Sequence, residues 1–104
     1  MIIDIESEEQ FEQLFNEHST NKLLIDFYAS WCEPCKNLSS ILTECSNKYT
    51  NFTYLSVDTG KFEDISDDFD ILKLPTVIIY YNSNKYTITG FKPDDVIELL
   101  DTYN

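Results

Sequence analysis

Two thiols placed two residues apart are the groups in this chain best suited to covalent chemistry: Cys32 and Cys35, in Trp31-Cys32-Glu33-Pro34-Cys35-Lys36. Such a pair can close a small disulfide ring, or it can supply half of a metal site. A helix that starts at the pair favours the first use. Helix N-termini carry unpaired N–H groups and a partial positive charge, so a cysteine there is stabilised as the thiolate, the form that attacks disulfides. Pro34 suits such a start, because the missing N–H of a proline costs nothing in a first turn. A closed zinc site needs two more ligands, and only Cys45 and His18 remain to supply them.

The elements that must position the pair lie on either side of it. Lys22 to Tyr28 is a near-continuous apolar run, the pattern of a central strand covered on both faces. Asp26 interrupts it. A carboxylate in a covered layer loses hydration, which raises its pKa unless a partner compensates. It could be a solvated aspartate at the rim of a sheet, but the strand runs on to Tyr28, which favours a buried acid–base group beneath the cysteines. After the pair, a helix from about Pro34 to Tyr49 places Leu38, Ile41, Leu42, Cys45 and Tyr49 on one stripe, with Cys35 in phase one turn earlier. That phase turns Cys35 inward, leaves Cys32 as the more exposed thiol, and makes Cys45 a packing cysteine.

The rest of the chain supplies a frame. Ile2 to Ile5 is a short strand, and Ser7-Glu8-Glu9-Gln10 has the form of a capping box for a helix over 8–18 carrying Phe11, Leu14, Phe15 and His18. His18, the sole histidine, falls at the helix end, where the dipole favours it. Phe52 to Val57 is a second covered strand. A short helix around Phe62, Ile65 and Phe69 follows, with Glu63, Asp64, Asp67, Asp68 and Asp70 as a solvated acidic face lacking calcium-loop spacing. Leu74-Pro75-Thr76 opens the strand Val77 to Tyr81, and a proline there suggests a cis bond in a tight bend. Asn82-Ser83-Asn84 reads as a hairpin turn into Lys85 to Thr89, Gly90 breaks that strand, and Pro93-Asp94-Asp95 starts a last helix.

The totals narrow the class of partner. At 104 residues with 42% hydrophobic residues, the chain is expected to form a single globular domain over 1–104. Its net charge is −12 and it has no arginine, so a nucleic-acid surface is not expected. No run is long and apolar enough to suggest a membrane span, and Met1 to Glu6 has no signal-peptide pattern. Three cysteines is an odd number for a secreted disulfide framework. These features lead us to expect a cytoplasmic monomer.

The element order β-α-β-α-β-α-β-β-α, with Asp26, Trp31-Cys32-x-Pro34-Cys35-Lys36, Leu74-Pro75-Thr76 and Gly90 at these spacings, resembles the thioredoxin family over essentially the whole chain. The resemblance implies the α/β thioredoxin fold, a central five-stranded mixed sheet flanked by four helices. It implies a Cys32–Cys35 disulfide, Cys32 as nucleophile, Cys35 as resolving thiol, Asp26 as buried acid–base residue and a cis Pro75. Substrates would meet Trp31, Glu33, Pro34, Leu74, Pro75 and Gly90. The implied activity is thiol–disulfide oxidoreduction on protein disulfides, with no cofactor or metal in the chain. Electrons would come from a separate reductase of the thioredoxin reductase type, because two glycines cannot build a dinucleotide fingerprint. The competing reading keeps the fold as an interaction module whose redox chemistry is incidental. Glu33, Ser40 and Asn84 depart from the family pattern, in which glycine, proline and glycine are usual. No lysine stands near Asp26 on the third strand, where Tyr54 and Ser56 take that neighbourhood.

Overall fold

The computed structural model describes residues 1–104 and contains β1 (Ile2–Asp4), α1 (Glu8–His18), β2 (Lys22–Tyr28), α2 (Glu33–Lys48), β3 (Thr53–Asp58), α3 (Glu63–Asp68), β4 (Thr76–Tyr81), β5 (Asn84–Thr89) and α4 (Pro93–Tyr103). The strands form one mixed sheet in the order β1-β3-β2-β4-β5. β2 lies at its centre, parallel to β3 and antiparallel to β4. This is the five-stranded, four-helix α/β architecture that the sequence implies.

Central placement explains the composition of β2. Alternate side chains point to opposite faces of a strand, and here both faces are covered. Leu24 joins Tyr54, Val77 and Ile79 under Leu38, Leu42 and Cys45 of α2 and Val96 and Leu100 of α4. Leu23, Ile25 and Phe27 join Leu55, Val57 and Ile78 over Phe11 of α1, Phe62 just before α3 and Ile65 of α3. Burying each such side chain contributes about 1.5–3 kcal/mol, so the two cores anchor β2 from both sides. Asp26 lies on the α2/α4 face, in register with Ser56 of β3 and Val77 of β4.

Local signals set most boundaries. Ser7 Oγ accepts the Gln10 N–H at 3.1 Å, as a helix cap should. The return bond of the expected capping box is displaced by one residue, because Gln10 Oε1 accepts from Glu6 N–H rather than Ser7 N–H. α2 begins one residue before Pro34 and ends at Lys48, with Tyr49 as its cap. Ser40 sits within it as an ordinary helical residue. β3 is shifted one residue later than the apolar run Phe52 to Val57. The hairpin also differs from expectation. Asn84 already pairs with Tyr81, so the turn consists of Asn82 and Ser83 alone, both left-handed with φ of 49° and 70°. Two left-handed residues match the twist of flanking strands, which is why so short a loop closes here.

Candidate active site

The cysteine pair forms where β2 hands over to α2. The Tyr28 carbonyl at the strand's end is held by two donors from Thr59, the N–H at 2.8 Å and Oγ1 at 3.1 Å. This fixes the point from which the chain turns. Cys32 is the N-cap of α2, with extended backbone, and its Sγ accepts the Cys35 N–H at 3.3 Å. Pro34 falls in the first turn, as its lack of an N–H allows. Cys32 and Cys35 form a disulfide with their Cα atoms 5.3 Å apart.

Cys32 is the more exposed of the two thiols, but narrowly: it is 5% exposed against 2% for Cys35, and both are buried. In the disulfide each sulfur covers the other, and Ala29, Tyr28 and Leu74 pack around both. Burial therefore does not separate the two thiols. Helix geometry does, since Cys32 occupies the capping position and its sulfur receives a backbone N–H.

A second loop closes over the pair. The Leu74–Pro75 bond is cis, Leu74 packs on the cysteines, and the Pro75 carbonyl accepts the Gly90 N–H at 2.8 Å. Gly90 has φ +91°, a conformation that L side chains rarely adopt, although a Cβ there would meet no atom within 4 Å. Glycine is thus required by the backbone and not by crowding. Trp31 is 77% exposed beside the cysteines. Glu33 and Lys36, both exposed, form an ion pair at 3.1 Å across the first turn of α2.

Sequence reasoning did not single out Leu72 and Phe91, which are 92% and 46% exposed. They flank the Leu74–Pro75 and Gly90 segments in the chain, and Leu72 lines a cleft with Phe69, Lys73, Thr76 and Thr89. The available signal was an apolar residue inside a non-periodic loop, where no core position exists to receive it.

Asp26 is 1% exposed, its Oδ1 has no hydrogen-bond partner, and burial pushes its carboxyl up from 3.8 to about 7. Near pH 7 it can therefore both accept and give up a proton, which suits general acid–base work. Of the two side chains expected near it, Ser56 is its direct cross-strand neighbour. Tyr54 is instead committed to the far end of α2, its hydroxyl reaching the Cys45 and Tyr49 carbonyls at 3.1 and 2.8 Å.

The remaining candidates lie elsewhere. Cys45 is a free, buried thiol in the α2/α4 core, and burial raises its pKa. His18 ends α1, 3.6 Å from the Glu17 carboxylate. No group of three or more His, Cys, Asp or Glu side chains is arranged to hold a metal ion.

A redox-active disulfide at a helix N-terminus, a cis-proline loop against it and a buried carboxyl of near-neutral pKa define a class: a dithiol–disulfide exchanger on a mixed α/β sheet. The family model described as Thioredoxin matches residues 2–102, and the chain belongs to the thioredoxin family. It is 42% identical over 77 residues to a thioredoxin of Borreliella burgdorferi, covering 72% of this chain and 66% of that one. Thioredoxin 1 of Plasmodium falciparum is 26% identical over 104 residues, 99% of this chain and 98% of the relative. In fold, the crystal structure of thioredoxin NaTrxh from Nicotiana alata matches with a TM-score of 0.91 at 23% identity, covering 99% of this chain and 92% of that one. The chain is a thiol–disulfide oxidoreductase of the protein-disulfide reductase type.

Proposed function

We propose that Cys32 attacks disulfides of partner proteins, that Cys35 resolves the mixed disulfide, and that Asp26 is the base for that second step. The observation that carries this order is the capping position of Cys32, whose sulfur receives a helix N–H. The Cys32 thiolate displaces one substrate sulfur, which leaves as a thiolate and takes a proton from water. Asp26 then accepts the Cys35 proton as the Cys35 sulfur attacks Cys32. The Cys32–Cys35 bond forms, the bond from Cys32 to substrate breaks, and the second substrate sulfur leaves. Two electrons have passed from the dithiol to the substrate.

Trp31, Glu33, Pro34, Leu74, Pro75 and Gly90 form the docking surface in this reading, extended by Leu72 and Phe91. A separate reductase of the thioredoxin reductase type regenerates the dithiol, and the chain acts as a single-domain, monomeric electron carrier of the cytoplasm. Supporting these points are the exposed apolar loops, the acidic net charge of −12 and the absence of a helix able to cross a membrane. Trapping tests the assignment. Cys35→Ser should accumulate mixed disulfides with protein substrates, and Cys32→Ser should accumulate none. Trapping by Cys32→Ser instead would reverse the roles. Loss of insulin reduction in Cys32→Ser with unchanged partner binding would separate the reductase from a pure interaction module.

A further inference from the structure

The cysteine pair joins the sheet through a short connection whose first peptide is held from one side only. β4 pairs with β2 from Lys22 to Phe27, so Tyr28, the last residue of the strand, has its sheet partner on β3 alone, at Asp58. The residue after that partner, Thr59, places two donors on the Tyr28 carbonyl, its N–H at 2.8 Å and its Oγ1 at 3.1 Å. The N–H continues the ladder between two parallel strands, as almost any residue there could. The hydroxyl bond belongs to this side chain.

Both ends of that bond are firmly tied. On the donor side, Asp58 Oδ1 accepts the Gly60 and Lys61 N–H groups at 2.9 and 3.3 Å. The Asp58 carbonyl accepts from Lys61 and Phe62 at 3.2 and 2.9 Å. An aspartate that closes a turn in this way leaves the connection from β3 to α3 little freedom. On the acceptor side, the Tyr28 carbonyl belongs to the peptide that leads into Ala29. Ala29 is buried against Cys32 and Cys35, and its carbonyl accepts the Cys32 N–H at 3.2 Å. Cys35 is fixed separately, inside α2.

We propose that the Thr59 hydroxyl positions Cys32 for ring closure: by fixing the Tyr28–Ala29 peptide it favours the Cys32–Cys35 disulfide over the open dithiol. The inference rests on the exchange reading above and deepens it, naming a residue outside the cysteine motif that sets how strongly the chain reduces its partners. Closing the ring costs the Cys32 backbone its freedom, and a connection already anchored has less of it to lose. Without the hydroxyl, the open dithiol gains freedom that the closed ring cannot share, so the equilibrium moves toward the dithiol. In the reaction itself, two electrons pass from the dithiol to an incoming disulfide, the Cys32–Cys35 bond forms, and two thiols leave. Thr59 neither gives nor takes a proton. It is a positioning residue that acts through the Tyr28 carbonyl.

The test equilibrates the full chain with glutathione and glutathione disulfide, and reads the fraction of Cys32–Cys35 disulfide by mass spectrometry after acid quench and alkylation. Thr59→Val keeps the branched shape and removes the hydroxyl. It should shift the redox constant about fivefold toward the dithiol, the net effect of one ordinary hydrogen bond. Thr59→Ser, which keeps the hydroxyl, should stay within about twofold of the parent chain. A bond with a structural role alone would weaken the oxidised and reduced folds equally, lowering both denaturant midpoints and leaving the redox constant unmoved. An unmoved constant in Thr59→Val therefore overturns the inference. So does an equal shift in Thr59→Ser, which would assign the effect to packing and not to the hydroxyl. Failure of the parent chain to form the Cys32–Cys35 disulfide even in excess glutathione disulfide would instead overturn the exchange reading itself.

Discussion

One helix carries two very different cysteine environments. At the start of α2, Cys32 and Cys35 meet the N–H end of the helix, a cis-proline loop and a carboxyl of near-neutral pKa. Three turns further on, Cys45 is buried to the same degree as Cys32, at 5% exposure, yet is surrounded by Leu42, Tyr49 and Tyr54 in the core. Burial, and then the neighbouring Glu44, raise its pKa. Accessibility does not distinguish the two sites. What differs is the local environment: the N-terminus stabilises a thiolate, whereas at Cys45 burial and Glu44 oppose one, offset in part by Lys48.

The largest effect expected from breaking this contrast is on the cysteines themselves. Cys32→Ser should abolish disulfide-reduction turnover, because the Cys32–Cys35 disulfide can then no longer form. Cys45→Ala should keep turnover within about twofold while lowering stability by about 1–2 kcal/mol through lost core packing. Insulin-reduction kinetics and denaturant midpoints check both. A large loss of activity in a stable Cys45→Ala protein would remove the distinction between the sites.

The next effect concerns Asp26. Its folded pKa lies above its ordinary value, so ionisation disfavours the fold. The penalty is absent below about pH 4, grows as pH rises toward about 7, and is constant above that, reaching up to about 4 kcal/mol. Asp26→Asn should therefore raise the denaturant midpoint at about pH 8 and give no gain near pH 3. The same variant should slow the resolving step by about tenfold or more. A mutant less stable than the parent at pH 8 would contradict the buried-acid account.

These features were unequally legible in the sequence. An apolar run broken by one aspartate is enough to place Asp26 inside a covered strand, because few other locations explain seven strand residues with so little polarity. Cys45 was equally plain from its phase with Leu38 and Leu42. The burial of Cys32 was not, since it depends on Leu74 arriving from a distant part of the chain. The two-residue turn at Asn82 and Ser83 was obscured because the left-handed residue after Asn82 is a serine and not a glycine. Tyr54 could be assigned to the neighbourhood of Asp26 by position, but which carbonyls its hydroxyl meets is decided by tertiary packing.

Smaller changes sharpen the comparison at the site's edge. Gly90→Ala places a side chain at φ +91°, so it should cost about 1 kcal/mol of stability. It should also raise KM for protein substrates more than it lowers kcat, because it disturbs the loop whose N–H bonds Pro75. A parental KM would separate that loop from docking. Smallest of all is Glu33→Gly. A carboxylate about 6 Å from the Cys32 sulfur in water-like surroundings opposes the thiolate by roughly 0.7 kcal/mol. Lys36, already paired with Glu33 at 3.1 Å, offsets part of that. The pH at which Cys32 becomes reactive should fall by no more than about half a unit, and less at high salt.

The most direct measurement is the rate of alkylation of each cysteine in the reduced native protein, followed by mass spectrometry across pH. Near neutral pH, Cys32 should be modified much faster than Cys35 and Cys45, with its reactivity rising below the range of an ordinary thiol, about 8.5. Equal rates at Cys32 and Cys45 would mean that position at the helix N-terminus confers no reactivity, and would contradict the account.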